Sequence, residues 1–425
     1  MCLKDSLRFS QHRSIDKMEY PKLINVDAFP FEHSGQKVIG LRDPSSMSDK
    51  IVVVPPPVFF IISLFDGKRS LLDIKAEYMR KYGEMIFTER LEEIIKYLDD
   101  NYLLESEKYD AYRKKMEEEF TKTDLRPAVF SGKSYESDPA KLIQQLDGFF
   151  TSPQGPGEAV PGQSENPVKG IIAPHIDFQR GGPCYAWAYK ELVESPDPDL
   201  FVVLGTVHPP TNNPFVLTKK NFETPFGVIN TERDIIESLE RKVHFNLFEN
   251  EIVHKTEHTI EFQLVFLNYL YRHKKPFKVV PILCGSFYDV ITQGITLKQK
   301  PHLSDFIDAL RETVAECGYQ TCFVASADLA HVGLRFGDPT PPSQASLQNI
   351  ESEDRKMLAY VERMDADGFC DFVQREKDSR KICGLPPIYT LLRVMDAKEG
   401  KLFNYQQSLE PNGSSVVTFS SMVFT

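Results

Sequence analysis

The chain has 425 residues, with 61 acidic and 50 basic side chains and a formal net charge of −11, long enough for a large core and for two domains at about 150 residues each. Hydrophobic residues at 41%, charged residues at 26%, and 23 Gly and 29 Pro without a period exclude collagen, coiled coil and wholesale disorder. The acidic excess repels polyanions, so no nucleic-acid partner is expected without a local basic patch.

In chain order, the amino-terminal stretch MCLKDSLRFSQHRSIDK lacks the continuous apolar core of a signal peptide. The longest apolar stretch, 51–65, is broken by Pro55, Pro56 and Pro57 and is too short to span a bilayer. Seven cysteines, odd in number and without a C-x-x-C pair, read as reduced thiols rather than a disulfide framework or zinc knuckle. A cytoplasmic chain with no membrane partner is the expectation.

Residues 51–106 begin with an apolar strand, IVVV, and three prolines suited to a helix start; VFFIISLF follows, with Asp66 and Gly67 as a stop. Ser70 and Asp73 have capping-box spacing ahead of Leu71, Leu72, Ile74 and Tyr78, and Gly83 suits the position just past the helix end. Thr88 opens a third helix with Leu91, Ile94, Ile95 and Leu98 on one stripe, and YLLES reads as a short strand. Three short helices with flanking strands predict a small α+β winged-helix-like domain, and the layout with its LFDG…LL-I pattern resembles the PqqD-like peptide-recognition domains. The third helix carries Glu89, Glu92, Glu93, Asp99 and Asp100 against Arg90 and Lys96, which disfavours DNA. A peptide or protein partner, or a structural cap on the larger domain, remains. Residues 107–125 form a charged connector, helix-like over EKYDAYRKKMEEEFTK and without a strong apolar face. The predicted organisation is therefore 1–106, a linker 107–125, and a larger domain 126–425, in which 151–169 is a Pro- and Gly-rich surface loop.

From residue 170 the pattern is that of an α/β domain, with continuous apolar runs suited to strands of a central sheet buried between helices on both faces. Four runs, GIIAPH (170–175), LFVVLGTVH (200–208), KVVPILCG (278–285) and TCFVASADLAH (321–331), each pass from aliphatic residues into a turn with a reactive side chain: His175, His208, Cys284, and Asp328 with His331. Ligands of open α/β sheets bind outside the carboxyl ends of the strands. Imidazoles of His175, His208 and His331 meeting there would form a facial nitrogen set suited to Zn, Fe or Cu, with positions left open; singly, each is more commonly a hydrogen-bonded core histidine. Asp328 could ligate, hold the N–H of His331, or cap a turn. Cys383 precedes Gly384, Pro386 and Pro387 at a helix entrance, where a thiolate would bind a soft metal and a buried inert thiol is the commoner case. The segment KTEHTIEFQLVFLNYLY reads as a helix capped by Thr256, with Ile260, Leu264, Leu267 and Tyr271 inward and Glu257, His258 and Glu261 in a polar cluster. His258 is the acid/base candidate and Glu257 an ordinary first-turn acid. The glycines of FQRGG would allow close approach of backbone to a ligand, with Arg180 for an anionic group.

The motifs APHIDFQRGG, VLGTVHPP, ETPFG, EHTIEFQL, SADLAHVG and ICGLPP, in this order, resemble the Memo family from about Arg126 to the carboxyl end. That family is similar in fold to the class III extradiol dioxygenases. The resemblance implies a metal site at the strand ends with ligands His175, His208, His331 and Cys383, and His258 at the pocket. Ile176, Asp177 and Phe178 stand where members often carry A-G-Y, and Pro209 where some carry a second histidine. Three histidines with a thiol also differ from the dioxygenases' two histidines and one glutamate. The implied function is a non-haem oxidoreductase using Fe(II), with Cu or Zn as alternatives, on a small-molecule or peptide substrate, in which His258 moves a proton and Asp328 orients His331. The alternative is a metal- or peptide-binding module without turnover. Bacterial and archaeal members are similar to one component of the AmmeMemoRadiSam system, which implies radical-SAM and AMMECR-type protein partners.

Overall fold

The computed structural model describes residues 19–33, 35–44, 48, 50–295 and 300–425. The readings made on the amino-terminal stretch and on Cys2 lie outside the described residues. Two compact units divide between Lys122 and Thr123.

In the first unit, β1 (Asp27–His33), β2 (Gln36–Arg42) and β3 (Ile51–Val54) form an antiparallel sheet in that order. Helix α1 (Pro56–Ile62) starts on the prolines, whose fixed φ suits a first turn. Helix α2 (Leu71–Tyr82) has the Ser70–Asp73 capping box and ends at Gly83, which takes φ 73°. Helix α3 (Thr88–Asp100) buries Leu91, Ile94, Ile95 and Leu98 against Leu41, Val52, Val54, Ile61 and Ile74. Residues 107–121 form α4 (Glu107–Thr121), part of this first unit. YLLES is not a strand. Tyr102 turns the chain at φ 63°, and Leu104 makes only an isolated bridge to Leu23.

The second unit opens with β4 (Leu125–Arg126), α5 (Pro139–Thr151), β5 (Gly170–Ala173), α6 (Phe178–Glu194) and β6 (Leu200–Thr206). Three short strands, β7 (Phe215–Leu217), β8 (Asn221–Thr224) and β9 (Gly227–Ile229), lead to α7 (Arg233–Lys242), a 3-10 turn (Glu251–Lys255) and α8 (His258–Tyr271). Then come β10 (Lys278–Cys284), α9 (Tyr288–Gln293), α10 (Pro301–Glu316), β11 (Thr321–Ser326) and β12 (Asp328–Gly333). Helices α11 (Gln344–Glu362), α12 (Ala366–Arg375) and α13 (Leu385–Val394) precede the closing hairpin β13 (Gly400–Leu409) and β14 (Ser415–Phe424).

The main sheet runs β12-β14-β5-β11-β6-β10-β7, with β13 paired to β14. Its middle, β5, β11, β6 and β10, is parallel, and β14 and β7 flank it antiparallel. The period of two along β6 sorts its side chains to opposite faces. Leu200, Val202 and Leu204 join a core with α7 and α10–α13, while Phe201 and Val203 join one with α5, α6 and α8. Helices therefore cover both faces, which is why these strands read as unbroken apolar runs. Each fully buried aliphatic side chain contributes about 1.5–3 kcal/mol.

Two local expectations are corrected. The run TCFVASADLAH splits at Ala327, so His331 sits inside β12 rather than beyond a strand end, next to a register shift in the β12–β14 pairing; such bulges re-aim side chains. Gly181 and Gly182 lie in α6, where a Cβ would meet Ile176 at 2.4 Å and the Phe149 ring at 2.5 Å. They permit helix packing rather than ligand approach. Arg180 is bonded to Asp177 at 2.6 Å.

Candidate metal centre

The parallel strands β5 and β6 end where His175 and His208 leave the sheet, and α8 begins beside them. Here the sequence is shifted by one from expectation: Glu257, not Thr256, caps α8, its carboxylate accepting the N–H groups of His258 (2.9 Å) and Thr259 (3.4 Å). The same buried carboxylate accepts the backbone N–H of His208 at 2.9 Å, and lies 3.1 Å from His208 Nδ1 and 3.0 Å from His258 Nδ1. One glutamate thus orients two imidazoles, which stack with ring centroids 5.1 Å apart.

His175, His208 and His258 bring one ligand atom each to within 4.8 Å of one another, the group among the described residues able to hold an ion. His331 is not part of this trio; it packs edge-on to Phe336, and its Nδ1 faces the carbonyl of Leu329 at 3.1 Å. Cys383, at the entrance of α13, places Sγ 3.3 Å from His175 Nε2. Asp328 does not bond the His331 ring. It accepts the backbone N–H of His175 at 2.9 Å. Cys284 is buried in the core and is not one of the trio, its thiol pushed up by burial.

The tautomers follow from the partners. His175 Nδ1 faces the Ser326 carbonyl at 3.0 Å, His331 Nδ1 the Leu329 carbonyl, and the other two face a carboxylate; all are acceptors only. Each Nδ1 must therefore carry the proton, leaving every Nε2 with a lone pair. Holding the distal N–H of a ligating histidine on a carbonyl or carboxylate is how proteins fix metal-binding imidazoles. The donor set fits a bound cation.

Electrostatics point the same way. Burial holds His175 well below the ordinary imidazole range, reinforced by His208 and His258, and brings His331 to about 4. At His208 burial acts downward, but the Glu257 carboxylate outweighs it and raises the ring. Glu257 feels burial upward, yet the two imidazoles keep it well below the usual carboxylate range. Burial raises Asp328 and, with that carboxylate nearby, raises the Cys383 thiol well above its ordinary value.

Sequence reasoning missed two groups. The sequence marks Glu257 only as a first-turn acid of a polar cluster, whereas the E-H pair at the start of a helix facing a strand-end histidine is an available signal. Arg126 stands out in the sequence only as the start of the second domain. It is fully buried, paired with Glu261, and donates to the carbonyls of His254 (2.9 Å) and Glu257 (2.9 Å), fixing the turn that presents the site.

A family model described as Memo-like protein matches residues 126–423. A MEMO1 family protein of Aquifex aeolicus is 28% identical over 408 residues, covering 95% of this chain and 99% of its own length. MEMO1 family proteins of Methanopyrus kandleri and Pyrococcus furiosus are each 29% identical, covering 70% of this chain and 98% of their own.

Proposed function

Because the chain belongs to the Memo family, we propose that it is a non-haem metal protein whose bound iron serves oxidoreductase chemistry. The observation that carries this reading is the set of imidazoles whose Nδ1 atoms are held by carbonyl or carboxylate oxygens, with Cys383 Sγ 3.3 Å from Nε2 of His175. His175 and His208 hold the ion, a choice supported both by the strand-end pattern and by the grouping of ligand atoms. Cys383 joins them, supported by its distance from His175 Nε2. His331, from β12, is the further imidazole that the family resemblance implies. A mixed imidazole and thiol set suits Fe, Cu or Zn, and iron is preferred for a site with open positions. Fe(II) there would supply one-electron exchange with O2 or a reducible substrate. His258 takes or returns a proton at Nε2, while Glu257 balances the charge of its second proton. Asp328 fixes the backbone of His175. Radical-SAM and AMMECR-type partners are part of the same reading and rest on the family resemblance alone.

Protein loaded with Fe(II) under nitrogen is expected to bind one ion per chain. Since Cys383 must give up its proton, affinity should rise by about tenfold per pH unit below the thiol's raised pKa. The loaded protein should consume O2 when a reductant is supplied. Affinity that ignores pH would remove Cys383 from the ligand set; iron-loaded protein inert to O2 with every reductant tried would leave a binding function.

A second reading, a peptide-recruiting first unit, is favoured by a groove of about 710 Å³ between α3 and the start of α4. Ile95 and Leu104 line it with Glu89, Glu92 and Glu107, acids that complement a basic peptide with apolar anchors. Reversing two charges in the variant Glu89→Lys/Glu92→Lys should weaken binding of a Lys- and Leu-rich probe peptide at least tenfold at low salt. Unchanged affinity, measured by fluorescence anisotropy, would discard the groove.

A further inference from the structure

The loop that delivers Cys383 is held in an unusual form. Lys377, Asp378 and Lys381 take φ of 53°, 49° and 53°, left-handed values that side-chain-bearing residues rarely adopt and that persist only where surroundings enforce them. Local bonds contribute, with the Asp378 carboxylate accepting the Ile382 N–H at 2.7 Å and Lys381 paired to Asp338 at 2.7 Å, and the loop also carries one partner of a buried ion pair outside the metal centre. Asp354 of α11, wholly inaccessible, accepts from Arg380 through one carboxylate oxygen and from the hydroxyls of Tyr405 (2.9 Å) and Thr418 (2.6 Å) through the other. The rest of the Arg380 guanidinium donates to Glu376, at 2.8 Å from Nε and 2.6 Å from Nη2.

Two connections lead from this cluster to the candidate ligands. The Arg380 carbonyl accepts the N–H of His331 at 2.7 Å, and Thr418 Oγ1 accepts the N–H of Ala330 at 2.9 Å. Beyond Arg380, the Gly384 N–H bonds the Asp328 carbonyl at 3.0 Å, in a contact so close that a Cβ at Gly384 would lie 2.4 Å from that oxygen. Cys383 is thereby seated beside His175. A buried ion pair is a weak source of stability, because desolvating two charges offsets much of their attraction; what it can supply is one specified arrangement. Here the arrangement ties α11, β13, β14 and the 376–383 loop to the strand bearing His331.

We infer that Asp354 and Arg380 are positioning residues for the metal centre, clamping the left-handed loop so that the Cys383 thiol stays within reach of the ion. The inference rests on the reading of Cys383 as a ligand. The clamp touches neither metal nor substrate. Its removal should release the thiol while the histidines go on binding.

Co(II) bound to the full-length chain is the probe, since thiolate ligation adds an intense near-ultraviolet charge-transfer band that imidazoles alone do not give. The unsubstituted protein should show the band. Asp354→Asn should still bind one Co(II) per chain with an unchanged far-ultraviolet circular dichroism spectrum, yet lose most of the band, and Cys383 should react with iodoacetamide at least tenfold faster. Glu376→Gln loosens the guanidinium without stranding a buried charge; it should lose part of the band and decides the matter if Asp354→Asn fails to fold. A full band in folded Asp354→Asn, or in Glu376→Gln should the first variant not fold, overturns the clamp. A missing band in the unsubstituted chain overturns the ligand assignment of Cys383, and the clamp with it.

Discussion

Replacing both His175 and His208 by Ala is expected to abolish stoichiometric metal binding while leaving the second unit folded. Apparent binding free energies of protein-held zinc run to about 10–16 kcal/mol over three or four ligands, so the loss of two donors should weaken binding at least about a thousandfold. The cost to the fold should be small by comparison. The His208 side chain is 45% exposed, and the His175 ring bonds a carbonyl that the Thr206 hydroxyl also approaches at 3.5 Å and meets the Cys383 thiol at 3.3 Å. Metal content after dialysis against a weak chelator, beside the circular dichroism spectrum, checks the expectation. Full occupancy in the double variant would place the ion elsewhere.

Arg126→Met should destabilise the second unit by about 3–5 kcal/mol, the usual effect of removing one partner of a buried pair. Arg126 and Glu261 are both inaccessible, and the Glu261 carboxylate that would be stranded also accepts from the Tyr135 hydroxyl and, at 3.0 Å, from the Phe130 N–H. Two carbonyls at the turn before α8 would lose their donor as well. Urea unfolding gives the magnitude. The double variant Arg126→Met/Glu261→Gln should recover part of the loss, because the unpaired charge is gone; strictly additive losses would show that the pair interacts little. Metal affinity should fall in Arg126→Met too, since the Glu257 carbonyl is one of the anchors lost.

The parallel middle of the main sheet was legible because burial on both faces leaves aliphatic runs unbroken, as in IIA and FVVL. The flanking strand β14 was not. It is buried along its whole length yet carries Ser415, Thr418, Ser420 and Ser421, polar residues inside the protein that interrupt the pattern. The capping box of α2 was readable because Ser70 and Asp73 act within one turn of chain. Glu257 was harder: its cap is local, but its second duty, holding the imidazole of a residue 49 positions earlier, exists only once α8 meets β6. His331 differs from the sequence reading in its local setting. The sequence places it after an aliphatic run, yet the break at Ala327 starts a new strand and turns its ring toward Phe336. His258, marked as a proton carrier, is the imidazole that the fold draws into the trio.

Helix α8 is buried on nearly every side, with Phe262, Val265 and Phe266 as inaccessible as Ile260 and Leu264. It has no solvent face along which to slide, and its first turn inherits that immobility. An arriving molecule therefore has little protein freedom to quench and gains correspondingly in affinity, but it must accept the placing of Glu257 and His258 as given. Discrimination between candidate substrates should accordingly follow shape more than adaptability.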